Sequence, residues 1–173
     1  DTFVASTINI AREIMLKKPH PCYVCKERFS SPHFFYGYLC LHCGDLNYRK
    51  RTETADLHGR IALVTGTRVK IGYATALRLL RAGAHVIATT RFPHDAARRY
   101  SSEPDFADWQ DRLHIYGLDF RHLPVREHFI AHLHDTYPAL DILINNAAQT
   151  IRHPADYYAA LLPFERLPLH ALT

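Results

Sequence analysis

The chain has 173 residues, 47% of them hydrophobic and 22% charged, and a formal net charge of +4. Its length suits one ordinary domain or a small module joined to a medium one, and its composition is that of a folded globular protein. No apolar run approaches the ~18 residues that a membrane-spanning helix requires, so no segment is expected to span a membrane and a membrane is not an expected partner.

In chain order, residues 1–20 place Ile8, Ala11, Ile14 and Met15 at helical spacing before Pro19-His20-Pro21. This predicts a short amphipathic helix over 1–21 that the prolines stop. The chain opens on Asp1 with no charged-then-apolar leader, so a processed or excised segment is expected. Next come two Cys-x-x-Cys knuckles, Cys22–Cys25 and Cys40–Cys43, separated by 14 residues. Two thiolates from each knuckle can meet one zinc ion in a tetrahedron, and so short a segment needs the metal in place of a core. Two disulfides would use the same cysteines, but the rest of the chain looks like an intracellular enzyme domain, where thiols stay reduced. The reading is therefore a zinc-ribbon-like module over 22–43 in a cytoplasmic protein, with Cys22, Cys25, Cys40 and Cys43 as ligands. His33 and His42 are alternative ligands. Four sulfurs leave no open position, so the zinc is expected to be structural. Phe29, Phe34, Phe35, Tyr36 and Tyr38 crowd its loop and are expected to pack rather than stack on bases. Residues 44–58 read as a basic linker. The runs at 17–18 and 49–51 are short, so nucleic acid is not an expected partner.

From residue 59 to 173 strands and helices alternate. Ile61–Thr65, His85–Thr90, Leu113–Leu118 and Leu140–Ile144 are short apolar runs bounded by turns, hence buried strands. Between them lie helical patterns at 71–82, at 95–100 and 105–111 around the lone Trp109, and from Pro124, where Val125, Phe129 and Leu133 recur at i, i+4 and i+8. Such alternation predicts βαβ units, a parallel sheet and right-handed crossovers. Residues 155–162 read as the start of another helix.

The first of these strands runs into Thr65-Gly66-Thr-Arg68-Val-Lys70-Ile71-Gly72. The first glycine permits a tight turn, and the last lets the following helix lie close, so backbone N–H groups face a diphosphate. The pattern resembles the Thr-Gly-x-x-x-Gly-x-Gly turn of the short-chain dehydrogenase/reductase family, with Lys70 in place of the middle glycine. That lysine could crowd the diphosphate, or its ammonium could pair with it. Three further motifs are similar to the family's. Thr90-Arg91 ends the second strand, where NAD enzymes carry an acid. Asp119-Phe120 follows the third strand. Asn145-Asn146-Ala147-Ala148 follows the fourth and resembles Asn-Asn-Ala-Gly.

The resemblance covers roughly Asp56 to Pro154 and implies a partial Rossmann-like α/β fold with strand order 3-2-1-4 and helices on both faces. It implies NADP(H) as ligand: a neutral residue followed by arginine suits the 2′-phosphate, which an acid would repel. Gly66, Arg68, Lys70, Ile71 and Gly72 would lie along the diphosphate, and Thr90 and Arg91 at the ribose. Asp119 and Phe120 would lie against the adenine, Asn145 and Ala147 on the adenosine side, and Asn146 would brace the sheet.

In this family a tyrosine four residues before a lysine carries the chemistry. None of the five lysines here has a tyrosine at that spacing, so no catalytic residue is assigned. The fourth strand, apolar on both sides, would be a bare sheet edge. The chain is thus expected to be the N-terminal part of a longer oxidoreductase. The expected partners are the remainder of that fold or another subunit over this edge, and a homo-oligomer. A non-catalytic nucleotide-binding or architectural subunit that docks through the zinc module is the alternative.

Overall fold

Residues 15–148 and 153–167 are described in a computed structural model of the chain. The helix expected near the N terminus lies almost wholly outside them. The chain divides into two units, Asp1–Thr54 and Ala55–Thr173.

In the first unit, β1 (His20–Pro21) pairs antiparallel with β2 (Arg28–Phe29), and the first knuckle forms the turn between them. The turn closes through Cys22 N–H to Glu27 O at 2.8 Å, with Lys26 in the left-handed region at φ 66°. The second knuckle opens α1 (Leu41–Lys50), with Cys40 at the N-cap and Cys43 in the first turn. Helix α1 runs through the boundary expected after residue 43, so much of the presumed linker is helical. Within the 14-residue loop an antiparallel bridge joins Pro32 to Cys40, with His33 N–H donating to Leu39 O at 3.1 Å, and returns the chain to the second knuckle. His33 is not a ligand but the centre of a ring cluster, 4.4 Å from Phe34, 5.5 Å from Tyr36 and 5.8 Å from Tyr48. Its Nδ1 accepts the N–H groups of Phe35 and Tyr36. Gly44 is required beneath it, because a Cβ there would meet His33 Cγ at 2.2 Å. His42 is exposed.

In the second unit, β3 (Ile61–Thr65), β4 (His85–Thr90), β5 (Leu113–Gly117) and β6 (Ile142–Ile144) form a parallel sheet in the order β5-β4-β3-β6. This is the expected 3-2-1-4 arrangement. Two connections step from β3 to β5 through α2 (Lys70–Arg81) and α3 (Pro93–Ser101), and the one through α4 (Leu123–Thr136) steps back. Right-handed crossovers therefore put α2 and α3 on one face and α4 on the other.

The core lies on the α2–α3 face, where Ala62, Val64, Val86 and Ala88 meet Ala76, Leu77, Leu80, Ala96, Tyr100 and Trp109. A fully buried side chain such as Leu80 contributes roughly 1.5–3 kcal/mol. Trp109 also explains why 105–111 is not one helix. It sits at φ −142° between two 3₁₀ turns, Phe106–Asp108 and Gln110–Arg112. That break turns its ring into the core edge-on to Phe106 and Tyr100, and burial wins over helical continuity.

The opposite face is thinly covered. No residue of α4 is buried, and Leu123, Val125 and Ile130 are exposed, as is Leu143 of β6. Strand β6 begins at Ile142 rather than Leu140, because the Asp141 carboxylate takes the Ile61 N–H at 2.9 Å and Arg60 at 2.8 Å. The stretch 155–162 is a 3₁₀ turn (Ala155–Tyr158), followed by the four-residue helix α5 (Leu162–Glu165), which packs beside α3.

Candidate functional site

At the carboxyl ends of the four strands, where strand order reverses about β3, lies a cleft of about 640 Å³. Open parallel sheets bind ligands at this position. The turn after β3 shapes its floor. Gly66 takes φ 71°, and a Cβ on Gly72 would stand 2.3 Å from the Gly66 oxygen. Only glycine lets the start of α2 approach so closely. The N-cap of α2, Val69, makes no side-chain capping bond, which leaves the first-turn N–H groups for a ligand. Lys70 occupies the left-handed region at φ 58°, a conformation that glycine adopts without strain.

Asn146 fastens the turn to β6. Its side-chain amide donates to Thr65 O at 3.0 Å and Gly66 O at 3.1 Å, and Thr65 Oγ1 accepts the N–H groups of Asn146 and Ala147 at 2.9 Å. At the end of β4, Thr90 Oγ1 accepts the Phe92 N–H at 3.1 Å, which turns the chain into α3 and presents Arg91 to the cleft. Arg68 reaches across to Asp95 in the first turn of α3, Nη1 to Oδ2 at 2.8 Å. Asp95 is fully buried and also accepts from Arg98 and Arg99. Burial pushes its carboxyl up, and the three guanidinium groups reverse this, holding it well below the usual carboxylate range. After β5, the Arg121 guanidinium grips Asp119 and brings its carboxyl down to about 2.

Ten of the twelve expected coenzyme residues line this one cleft: Gly66, Arg68, Lys70, Ile71, Thr90, Arg91, Asp119, Phe120, Asn146 and Ala147. Gly72 stands behind its wall. Asn145, just past the end of β6, is exposed and falls outside the cleft lining, while its neighbours Asn146 and Ala147 lie in it. The sequence reading missed Asp95, Arg121, Phe92 and Tyr158. The spacing Asp95-x-x-Arg98-Arg99 was a usable signal for an i, i+3/i+4 ion cluster. Tyr158 had none, since it comes from a segment distant in sequence.

In the first unit the four cysteine Sγ atoms lie within 4.8 Å of one another. The Cys40 N–H points to Cys22 Sγ at 3.4 Å, and Cys25 and Cys40 Sγ are 3.8 Å apart. Burial pushes the Cys22 thiol up, but backbone N–H groups outweigh it and bring it down to about 6. Burial drives Cys43 up to about 12.

Comparison with known proteins places this geometry. The sequence matches the short chain dehydrogenase family over residues 60–166. It is 43% identical over 137 residues to an uncharacterized protein of Acanthamoeba polyphaga mimivirus, covering 76% of this chain and 29% of that one. The match exceeds the length of the whole second unit, so that relative shares part of the cysteine-bearing unit. The 2-dehydro-3-deoxy-D-gluconate 5-dehydrogenase of Pseudoalteromonas atlantica is 33% identical over 103 residues, covering 60% of this chain and 40% of its own. A solved metagenomic short-chain oxidoreductase in complex with NADP aligns with a TM-score of 0.49 at 23% identity, over 64% of this chain and 51% of that one. The chain spans between 23% and 40% of the length of the curated relatives it matches. With residues 60–166 covered, this protein belongs to the short-chain dehydrogenase family.

Proposed function

We propose that the second unit binds NADP(H) as the coenzyme-binding part of a short-chain oxidoreductase, and that the first unit holds a structural zinc. The observation that carries the coenzyme reading is Arg91. It follows a neutral Thr90 at the end of β4 and lines the cleft together with Arg68, so two guanidinium groups stand where a ribose 2′-phosphate would lie. Arginine binds such a group bidentately, and an acid there would repel it. The close approach of α2 at Gly72 and the uncapped N–H groups after Val69 favour the diphosphate, with the Lys70 ammonium beside it. The nicotinamide ring would supply or accept the hydride. The sequence has no Tyr-x-x-x-Lys, so the proton-transfer machinery would come from the remainder of the fold. That remainder, another subunit or a second copy would also cover β6 and the exposed Leu143.

Zinc fits the cysteine cluster. A tetrahedron with Zn–S bonds of about 2.3 Å has sulfur–sulfur edges of about 3.8 Å, and Cys25 and Cys40 stand 3.8 Å apart. All four positions are taken by protein, which suits a structural ion in a reducing, cytoplasmic setting. The alternative reading is a non-catalytic nucleotide-binding or architectural subunit docking through the zinc module. It is favoured by Lys70, where a side chain replaces an expected glycine, and by the absence of Tyr-x-x-x-Lys from this sequence.

The test is calorimetric titration of the protein with NADPH and NADH. Trp109 is buried in the core and lines no part of the cleft, so its quenching is a poor probe. NADPH should bind at least about tenfold more tightly than NADH, a difference of about 1.4 kcal/mol, and Arg91→Ala should erase that preference. Equal affinity for both, or an unchanged preference in the variant, would overturn the NADP reading.

A further inference from the structure

We propose that the segment 153–167 is an internal gate on the 2′-phosphate corner of the coenzyme cleft, in which Tyr158 occupies the Arg91 guanidinium and the Glu165 carboxylate anchors the segment on α3. The inference rests on the NADP reading and concerns its regulation.

Three contacts on neighbouring residues carry it. The Glu165 carboxylate accepts the backbone N–H groups of His94 at 3.0 Å and Asp95 at 2.8 Å, so a distant side chain occupies the first turn of α3. That helix has no local side-chain cap, so this carboxylate is its capping anion. Seven residues earlier, the Tyr158 ring stacks on Phe92 at 5.2 Å and stands 4.8 Å beneath the Arg91 guanidinium. Arg91 is thereby within cation–π reach of both rings of the stacked pair, Phe92 and Tyr158. Phe164 completes the latch, its carbonyl 3.2 Å from His94 Nδ1 and its ring under Arg98 at 5.8 Å.

The chemistry of these contacts is that of the ligand they would exclude. A 2′-phosphate brings a multiply charged anion and seeks guanidinium and backbone N–H donors. Tyr158 engages the cation face of Arg91 through its ring quadrupole, and Glu165, bonded to the His94 and Asp95 N–H groups in the first turn of α3, ties the segment down. Segment and phosphate therefore compete for one corner, while the diphosphate end of the cleft at Gly66 and Gly72 is untouched. A coenzyme without the 2′-phosphate gains nothing by opening the gate. One with it must first free Arg91 from Tyr158, and its apparent affinity is reduced by the fraction of molecules in which the gate is closed.

The test uses the full chain with NADPH, NADH and adenosine 2′,5′-bisphosphate as probes. Glu165→Gln and Glu165→Ala should tighten NADPH and the bisphosphate by about tenfold, the gain expected when an open state populated at about 10% becomes dominant. NADH affinity should change by less than about twofold, within the population argument. Tyr158→Ala should act in the same direction on NADPH. Independently of any variant, hydrogen exchange in peptides covering 153–167 should accelerate when NADPH is added to the native chain, and stay unchanged with NADH. If the native chain prefers NADPH, yet the Glu165 variants match it and 153–167 stays protected, the gate is wrong and the NADP reading stands. If NADPH and NADH bind equally weakly to the native chain and to every variant, both fall together. Equal tightening of NADH and NADPH in the Glu165 variants would overturn the assignment of the gate to the 2′-phosphate corner.

Discussion

Gly72 lies so close to Asn146 that a Cβ would stand 2.5 Å from its side-chain nitrogen. The same nitrogen donates to Thr65 O and Gly66 O, so one amide joins β6, the end of β3 and the first turn of α2. Gly72→Ala must break that junction or push α2 outward. Overpacking of this kind costs about 1–3 kcal/mol, occasionally more. The expected result is a loss of at least about 2 kcal/mol in urea unfolding, together with loss of nucleotide binding. An alanine variant of native stability and native affinity would show that the close approach is dispensable.

Lys70 presents the reverse case, a side chain where the backbone asks for none. At φ 58° it is the only non-glycine residue of the second unit, among those described, in the left-handed region. That conformation costs about 1–2 kcal/mol for an L-residue, while glycine gives back roughly 0.5–1 kcal/mol in chain entropy. Lys70→Gly should therefore stabilise the protein by up to about 1 kcal/mol. It should also weaken NADPH binding several-fold at low salt, because the ammonium beside the diphosphate is lost. Lys70→Met keeps the strained backbone and removes the charge, so it should weaken binding without the gain in stability. If both variants bind as the native chain does, the ammonium makes no contact with the coenzyme.

The strands of the second unit were legible because their apolar runs are short, bounded by turns and spaced by helical patterns. The glycine turn was legible because Gly66 and Gly72 answer to local geometry, a positive φ and a close approach. What could not be read depended on distant partners. Trp109 breaks its helix for the sake of a core that lies on other elements, and Asn145 misses the cleft because Asn146, not Asn145, is drawn in by Thr65 and Gly66 of another strand and turn. His33 was an alternative ligand by residue type, and a cluster of rings around it decides its place. The contacts of Tyr158 and Glu165 with Phe92, His94 and Asp95 join segments about 70 residues apart, and no local pattern announces them.

The buried Asp95 cluster makes stability depend on acid. Its carboxyl is depressed below the unfolded value of about 3.9, so the stability it confers is present above that pH and is lost as pH falls through its folded value. Asp119, brought down to about 2 by Arg121, acts with the same sign. Unfolding free energy should be flat above about pH 5 and fall steadily between about pH 4 and pH 2. Asp95→Asn leaves Arg68, Arg98 and Arg99 facing a neutral amide. Breaking a buried pair in this way costs about 3–5 kcal/mol, and part of the acid slope should vanish with it. A variant that keeps the full slope would assign the acid sensitivity to other carboxylates.

The cysteine cluster makes a prediction about metal removal that is separate from the coenzyme. The first unit has its own small core of Cys22, Phe29, Leu39 and Cys43, two of them members of the cysteine cluster. With so little apolar area to bury, its fold should depend on the ion, since structural zinc in such modules supplies on the order of 10 kcal/mol. One zinc per chain is expected by elemental analysis, and cobalt substitution should give the absorption of a tetrahedral thiolate site. A chelator should then release the ion and collapse amide protection over residues 15–54, leaving the unfolding transition of the second unit in place, because the two cores share no residue. Cys43→Ser should lower zinc affinity by at least about tenfold, as loss of a ligand or its support does, whereas His42→Ala should leave it unchanged because that ring is exposed and outside the cluster. Full protection of residues 15–54 after complete metal removal would mean that the ring cluster around His33, and not the ion, holds the unit together.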